Sequence, residues 1–432
     1  MTLRKLFSPR SVLCLKQSTK KFSLSSYKCE EAVAAQSDFH LSWDYAVEDA
    51  IKYVRYQSPF LKLGYMTTDK NVNWNRNIEN LEKSGHPMYG TAKILLGDGK
   101  ANVNQIWGIV ILLASKLAGY PSTYLKNEED FDRDSGILRN QQKLAEYIEF
   151  MASGNEFHRD GVLNMQHFHK SGMNLDNDNL LIFGNKMAIL AGDMLLGYAS
   201  LQISKMRNYK VTALVAAFAR DIAESNFIGE RDIQNNPLPS DPIKKLEVQK
   251  KNPKMFEEIS SDQIDIMLPF KLHDVMGTAE NEWKLRHSLG GATRLGKSLK
   301  AALILGNHSK EKQKEIYFMG KHMYLSYRAA KDLNIFRSDE LPTSGKFSLV
   351  SAPLLFHLEE DPSLYEEIKK GSESIENIDF GKIHETVRNG PGMGKTRELL
   401  SKNSLIAYTL LHKFQNSSCR RIIENLLFSL ES

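Results

Sequence analysis

Apolar residues recur at helical spacing wherever they gather in this chain, and no stretch shows the strict alternation of a half-buried strand. Residues 103–118 place Ile106, Val110, Leu113 and Leu117 on one face and stop at Gly119, with Pro121 behind. Residues 141–157 repeat Leu144, Ile148 and Met151, and residues 210–226 carry Leu214, Phe218 and Ile222. The same period runs through 291–304 (Leu295, Leu299, Ala302, Leu303) and 312–333 (Ile316, Gly320, Met323, Tyr327, Ala330). Two more helices fit 396–414 and 417–431. With 432 residues, 41% of them hydrophobic, the chain is long enough to bury a sizeable core. The expected fold is all-α, a single bundle of about ten or more helices. The polar, proline-bearing stretch 235–263 reads as a long loop or insertion, and 335–347 as another irregular connection. No fixed internal period marks a repeat protein.

One helix stands apart. Residues 183–200, FGNKMAILAGDMLLGYAS, carry Gly184, Ala188 and Gly192 at i, i+4 and i+8, then Ala199. Such a stripe lets a second backbone come close. Met187, Leu190, Met194 and Leu195 make the rest of the cylinder apolar, and Asp193 is its single acid. A helix apolar nearly all round is buried on most sides. No run approaches the length of a bilayer span, so no transmembrane segment is expected.

Charge is unevenly placed. The first 29 residues hold seven basic residues and no acid, with Leu3, Leu6, Val12 and Leu15 at amphipathic spacing, which reads as a mitochondrial transit peptide. Without them, 50 basic residues face 52 acidic ones, a net charge of −2, so no basic surface argues for nucleic acid. Cys14 and Cys29 fall in that leader, leaving Cys419 alone, which excludes a disulfide framework or a cysteine metal site.

Two motifs tempt and fail. NGPGMGKTRELL (389–400) resembles a phosphate-binding loop, but Asn389 stands where the first glycine belongs and no buried strand leads in. A turn at Gly390, Pro391 and Gly392, followed by Thr396 as a helix N-cap, is the simpler reading. His158, His167 and His169 share no helical face and no carboxylate cluster, so they do not define a metal site.

HRDGVLN (158–164), followed by GNKMAILAGDMLL in so helical a chain, resembles the trans-isoprenyl diphosphate synthases over about residues 40–430. The resemblance implies a bundle around a central cavity. In that family two aspartate-rich motifs face each other and hold magnesium ions against an allylic diphosphate. Loss of diphosphate gives a carbocation that isopentenyl diphosphate captures. Hard dications want several carboxylate oxygens, and acids at i and i+4 of one helix supply them on one face. This chain departs from that pattern at each place. In the first motif His158 and Asp160 match, Arg159 replaces an acid, and the last acid becomes Leu163, or Asn164 with a shift of one. In the second, reached through GKHMYLSYRAAKDLNI, only Asp332 survives; Lys331 and Ile335 stand where acids belong, and Arg328 where glutamine is usual. The isopentenyl diphosphate signature falls on KSGHPMYG. Lys83 and Pro87 remain there, while Ser84 and His86 replace arginines. Lys170 is the sole base after the first motif, and the Lys-Thr pair of a later helix falls on the glycines of GGATRLGKS.

Degeneracy at all of these positions, beside an intact packing helix, resembles the branch of non-catalytic second subunits of heteromeric, decaprenyl-type polyprenyl diphosphate synthases. That branch implies a mitochondrial protein, in the matrix or on the matrix face of the inner membrane, contributing to the ubiquinone side chain. Its partner would be a homologous catalytic first subunit, in a heterodimer or heterotetramer, and peripheral membrane association fits that setting. Magnesium is then expected in the partner, and no cofactor on this chain. The subunit contact implied for this family places Gly184, Ala188, Gly192, Asp193 and Ala199 at, or just beneath, the interface. Two other readings stay open: a stand-alone helical binding protein for a prenyl chain or ubiquinone precursor, and a prenyltransferase in which Arg159 and Lys331 replace metal in ionisation.

Overall fold

A computed structural model of the chain describes residues 42–56, 106–119, 131–132, 136–162, 178–232, 236–253, 276–342, 345–372 and 374–431. Its helices in chain order are α1 (Trp43–Val54), α2 (Ile106–Ala118), α3 (Arg139–Asp160), α4 (Asp178–Lys205), α5 (Tyr209–Ser225), α6 (Pro242–Lys251) and α7 (Ala279–His287). There follow α8 (Thr293–Leu305), α9 (Lys310–Ile335), α10 (Ala352–Glu360), α11 (Tyr365–Lys369), α12 (Phe380–Arg388), α13 (Gly392–Leu411) and α14 (Ser417–Phe428). Many begin where the sequence supplies a side-chain acceptor for a free N–H. Ser42, Asn208, Thr278, Ser309, Asp379 and Asn416 each accept from the backbone three residues on. The expected leader, residues 1–29, lies outside the described residues.

The fold is all-α. β structure among the described residues is confined to a two-residue antiparallel ladder, Phe131–Asp132 with Ile137–Leu138, and an isolated bridge between Arg231 and Pro237. The polar stretch read as a loop around 235–263 contains α6. Asp241 accepts from the N–H groups of Ile243 and Lys244, and Pro242 pre-sets the first helical φ, so ten residues of polar sequence still form a helix. The helix expected to start at Thr396 begins four residues earlier, at Gly392. Thr396 is buried inside it, its Oγ1 donating to the Gly392 carbonyl at 2.7 Å, and caps nothing.

α2 is central: Ile109, Val110, Ile111 and Leu113 have no exposed surface, and α1, α3, α8 and α14 surround it. α9 links two cores. Ile316, Met319 and Met323 join the cluster around α2, whereas Leu325, Ala329 and Leu333 join one built with α7, α10, α12 and α13.

The small stripe of α4 is used inside the chain. Gly184, Ala188, Gly192 and Ala199 are buried, and the closest approach is to α3. A Cβ on Gly192 would stand 2.3 Å from the His158 ring and 2.9 Å from the Gly154 carbonyl, and one on Gly154 3.0 Å from the Gly192 carbonyl. Only Asp193 of the expected interface set is exposed; its Oδ1 lies 3.3 Å from His158 Nε2. The reason is geometric. The smallest residues go where two backbones of one chain meet most closely, while Ile182, Ile189, Leu190, Met194 and Leu201 face outward. Gly192→Leu is therefore expected to destabilise the isolated chain by overpacking, by about 1–3 kcal/mol, read as a lower melting temperature before any partner is added.

Candidate functional site

The last turns of α9 carry the residues of the degenerate second motif. Asp332 has no exposed surface. Its Oδ2 accepts from Trp283 Nε1 of α7 at 2.8 Å and from the Ala352 N–H of α10 at 2.9 Å. Its Oδ1 lies 2.9 Å from Arg328 Nη2, one turn earlier. Ser351 makes no side-chain cap for α10, so Asp332 satisfies a free N–H of that helix from across the core. Lys331 is exposed and its Nζ stands 5.6 Å from the Tyr327 ring centre. Ile335 packs on the second core, and its carbonyl lies 2.9 Å from His384 Nε2. The Asp332 carboxylate is thus engaged by two N–H donors and a guanidinium, beside a lysine and an isoleucine. Among the described residues no three His, Cys, Asp or Glu side chains are placed to hold a metal ion.

The degenerate first motif closes α3. His158 Nε2 lies 3.1 Å from the Ile189 carbonyl, and Arg159 is exposed. Asp160 is the last helical residue, but its side chain lies outside the described residues, as do Leu163 and Asn164 and the whole of Lys83, Ser84, His86 and Pro87. The charges of the two motifs nonetheless meet. Asp332 raises the pKa of the Arg328 guanidinium, burial opposes it, and among the smaller influences the Arg159 charge opposes it too. Arg159 stands where the resemblance expects an acid of the first motif, and its charge acts on Arg328 of the second.

Between the motifs, bulky side chains fill the centre. A π-helical turn, Ser288–Ala292, bears the glycines that fall at the family's Lys-Thr position. A Cβ on Gly291 would stand 1.9 Å from the Tyr324 ring, so the glycine is what admits that ring. Trp107 lies 5.2 Å from Tyr324 and 5.3 Å from Tyr327 between ring centres, and Trp43 lies 5.3 Å from Tyr327. The Arg294 guanidinium stands 5.4 Å from the Trp107 ring. Below this cluster Glu149, 1% exposed, accepts from the Gly108 N–H at 2.5 Å. Burial pushes the Glu149 carboxyl up to about 8, although the Gly108 N–H and Arg294 pull the other way. Burial also drives His287 well below its ordinary value, with Arg328 and Arg286 adding to the effect. Sequence reading missed Trp43, Trp107, Tyr324, Glu149 and Trp283. The one available signal was the empty glycine pair, because space vacated on one helix is filled from another.

No protein-family model matches the chain. It is 30% identical over 392 residues to all trans-polyprenyl-diphosphate synthase PDSS2 of Rattus norvegicus, spanning 90% of this chain and 87% of that protein. It is 30% identical over 292 residues to the mitochondrial hexaprenyl pyrophosphate synthase of Saccharomyces cerevisiae, spanning 63% and 58% of the two chains. A decaprenyl diphosphate synthase structure from Rhodobacter capsulatus superposes with a TM-score of 0.52 at 14% identity, covering 91% of this chain and 98% of the other. The chain belongs to the trans-polyprenyl diphosphate synthase family.

Two substitutions test the polar core. Asp332→Asn leaves Arg328 without its counter-charge and is expected to cost about 3 kcal/mol, measured by denaturant unfolding. Glu149 binds its proton more tightly folded than unfolded. Its contribution is therefore full below the ordinary carboxylate pKa and is lost as pH rises toward about 8. Glu149→Gln should flatten the fall in melting temperature across that window and raise stability at its alkaline end. A parallel pH profile in the variant would refute the assignment.

Proposed function

We propose that this chain is the catalytically silent subunit of a heteromeric mitochondrial trans-polyprenyl diphosphate synthase that makes the ubiquinone side chain. The observation that carries the reading is Asp332. The surviving acid of the second motif is committed to Trp283, Ala352 and Arg328, with no surface left for a dication. Diphosphate departure needs several metal-bound positive charges placed against it. A site that has exchanged acids for Arg159 and Lys331 does not gather them. Magnesium and both substrates would then bind the homologous catalytic subunit, and this chain would stabilise that subunit and shape its product channel.

The outward face of α4 supplies the contact. Along it Leu190, Met194, Gly197 and Leu201 follow the alternating four- and three-residue steps of a helix–helix seam, while Phe183 and Met187, in line with them, are half-buried against the core. Ile189, Leu190, Met194 and Leu201 are 43–53% exposed, on a helix whose opposite face is packed on α3. Against the expectation from sequence, Leu181–Lys205 is by length and composition alone long and apolar enough to cross a bilayer. The buried glycine–alanine face and the exposed Lys186 and Asp193 favour a second helix as its cover.

Co-expression with the catalytic subunit of the same organism decides the matter. The pair should form a heterodimer or heterotetramer that condenses isopentenyl diphosphate with farnesyl diphosphate, while this chain alone does not. Leu190→Glu with Met194→Glu should abolish co-purification and leave the melting temperature of the isolated chain unchanged, since both side chains are exposed. Metal-independent condensation by this chain alone, lost in Lys331→Ala, would overturn the silent role. So would isolation without a catalytic homologue but with a bound polyisoprenoid.

A further inference from the structure

Beyond α4, exposed large apolar side chains gather at one other place. Phe227, after α5, and Ile243 and Leu246, on α6, are 70%, 62% and 56% exposed, whereas Tyr45, Val162, Tyr209 and Leu405 stand singly elsewhere. The platform that presents them is held firmly from below. Arg286 of α7 donates to the Ile228 carbonyl at 3.1 Å and to the Leu238 carbonyl at 2.8 Å. Glu282, fully buried, accepts from the Ser240 N–H at 3.1 Å and lies 3.0 Å from Lys245 Nζ. Burial alone would raise the Glu282 carboxyl, but Lys245 and Arg286 outweigh it and hold it below the usual carboxylate range. The connection after α5 and the start of α6 are thus tied to one buried charge cluster, while Lys244 meets Glu230 at the surface.

The outer face of α6 has a definite chemistry. Ile243 and Lys250, at i and i+7, lie on one side, away from the inward Lys245, while Leu246, four residues from the buried Pro242, lies between that side and a groove it lines with Pro242, Leu355 and Leu358. The helix carries four lysines against one glutamate. Lys250 and Lys251 are exposed and form no ion pair among the described residues. Apolar side chains followed by two exposed lysines, on a helix too short to make an extended groove, suit a surface that is anionic outside and apolar just beneath.

We propose that α6, with Phe227, docks this subunit on an anionic bilayer surface. Lys250 and Lys251 meet lipid phosphates, and Ile243, Leu246 and Phe227 enter the boundary between headgroups and acyl chains. The site is remote in sequence from the α4 seam and independent of the silent role. The two are separated by reading complex formation and membrane binding in the same samples.

The test is flotation of the co-expressed complex with vesicles of phosphatidylcholine, alone or mixed with anionic phosphatidylglycerol, at low and high salt. Binding is expected only to the anionic vesicles and is expected to weaken with salt. Each lysine near such a surface contributes about fivefold in affinity, so Lys250→Glu with Lys251→Glu should weaken binding by ~25-fold or more. Ile243→Ser with Leu246→Ser should also release the complex while leaving co-purification and melting temperature unchanged. Equal binding to both vesicle types, no binding to either, or binding indifferent to both double variants would overturn the proposal. Retention of an acidic protein by the wild-type complex in place of vesicle binding would also overturn it, assigning the face to a protein partner.

Discussion

The buried carboxylate of Asp332 is the contact on which the middle of this molecule depends. It joins α7 through Trp283, α10 through the Ala352 N–H and its own helix through Arg328. A buried charge is tolerated only when paired and hydrogen-bonded, and Asp332 meets both conditions with protein groups. Satisfaction of this kind works against catalysis. An acid that holds magnesium must keep lone pairs facing a cavity, whereas this one spends them on the architecture.

The surrounding substitutions follow the same direction. The missing side chain at Gly291 opens room that Tyr324 takes, and Trp107, Tyr327 and Trp43 continue the aromatic packing. The arginines are balanced locally: Arg328 by Asp332, while the Arg294 guanidinium stands over the face of Trp107. In the proposed silent role, packing and charge balance take the place of a polar, metal-dependent centre.

Helix periods were legible in sequence because each depends on residues three or four apart. α2, α3, α5, α8, α9, α13 and α14 all lie where the apolar spacing places them, to within a few residues. α6 was not legible, since a polar ten-residue segment has no apolar stripe and is helical because Asp241 and Pro242 start it and α7 anchors it. The start of α13 was misplaced because Thr396 has the chemistry of a cap but sits where its hydroxyl bonds back to Gly392. For α4 the small stripe was evident, but not which backbone it meets. Any close neighbour satisfies such a stripe, and here the neighbour is α3.

By itself the sequence determined the all-α class and the near-neutral charge beyond the first 29 residues, and it put Arg159, Lys331 and Ile335 where the family resemblance expects acids. These depend on composition and short-range order. Only the tertiary structure decided what Asp332 does, which side of α4 is free and why Glu149 holds its proton. Trp283 is 49 residues from Asp332, and Gly108 is 41 from Glu149. Burial and long-range hydrogen bonds arise from the packing of separate helices, which no local pattern encodes.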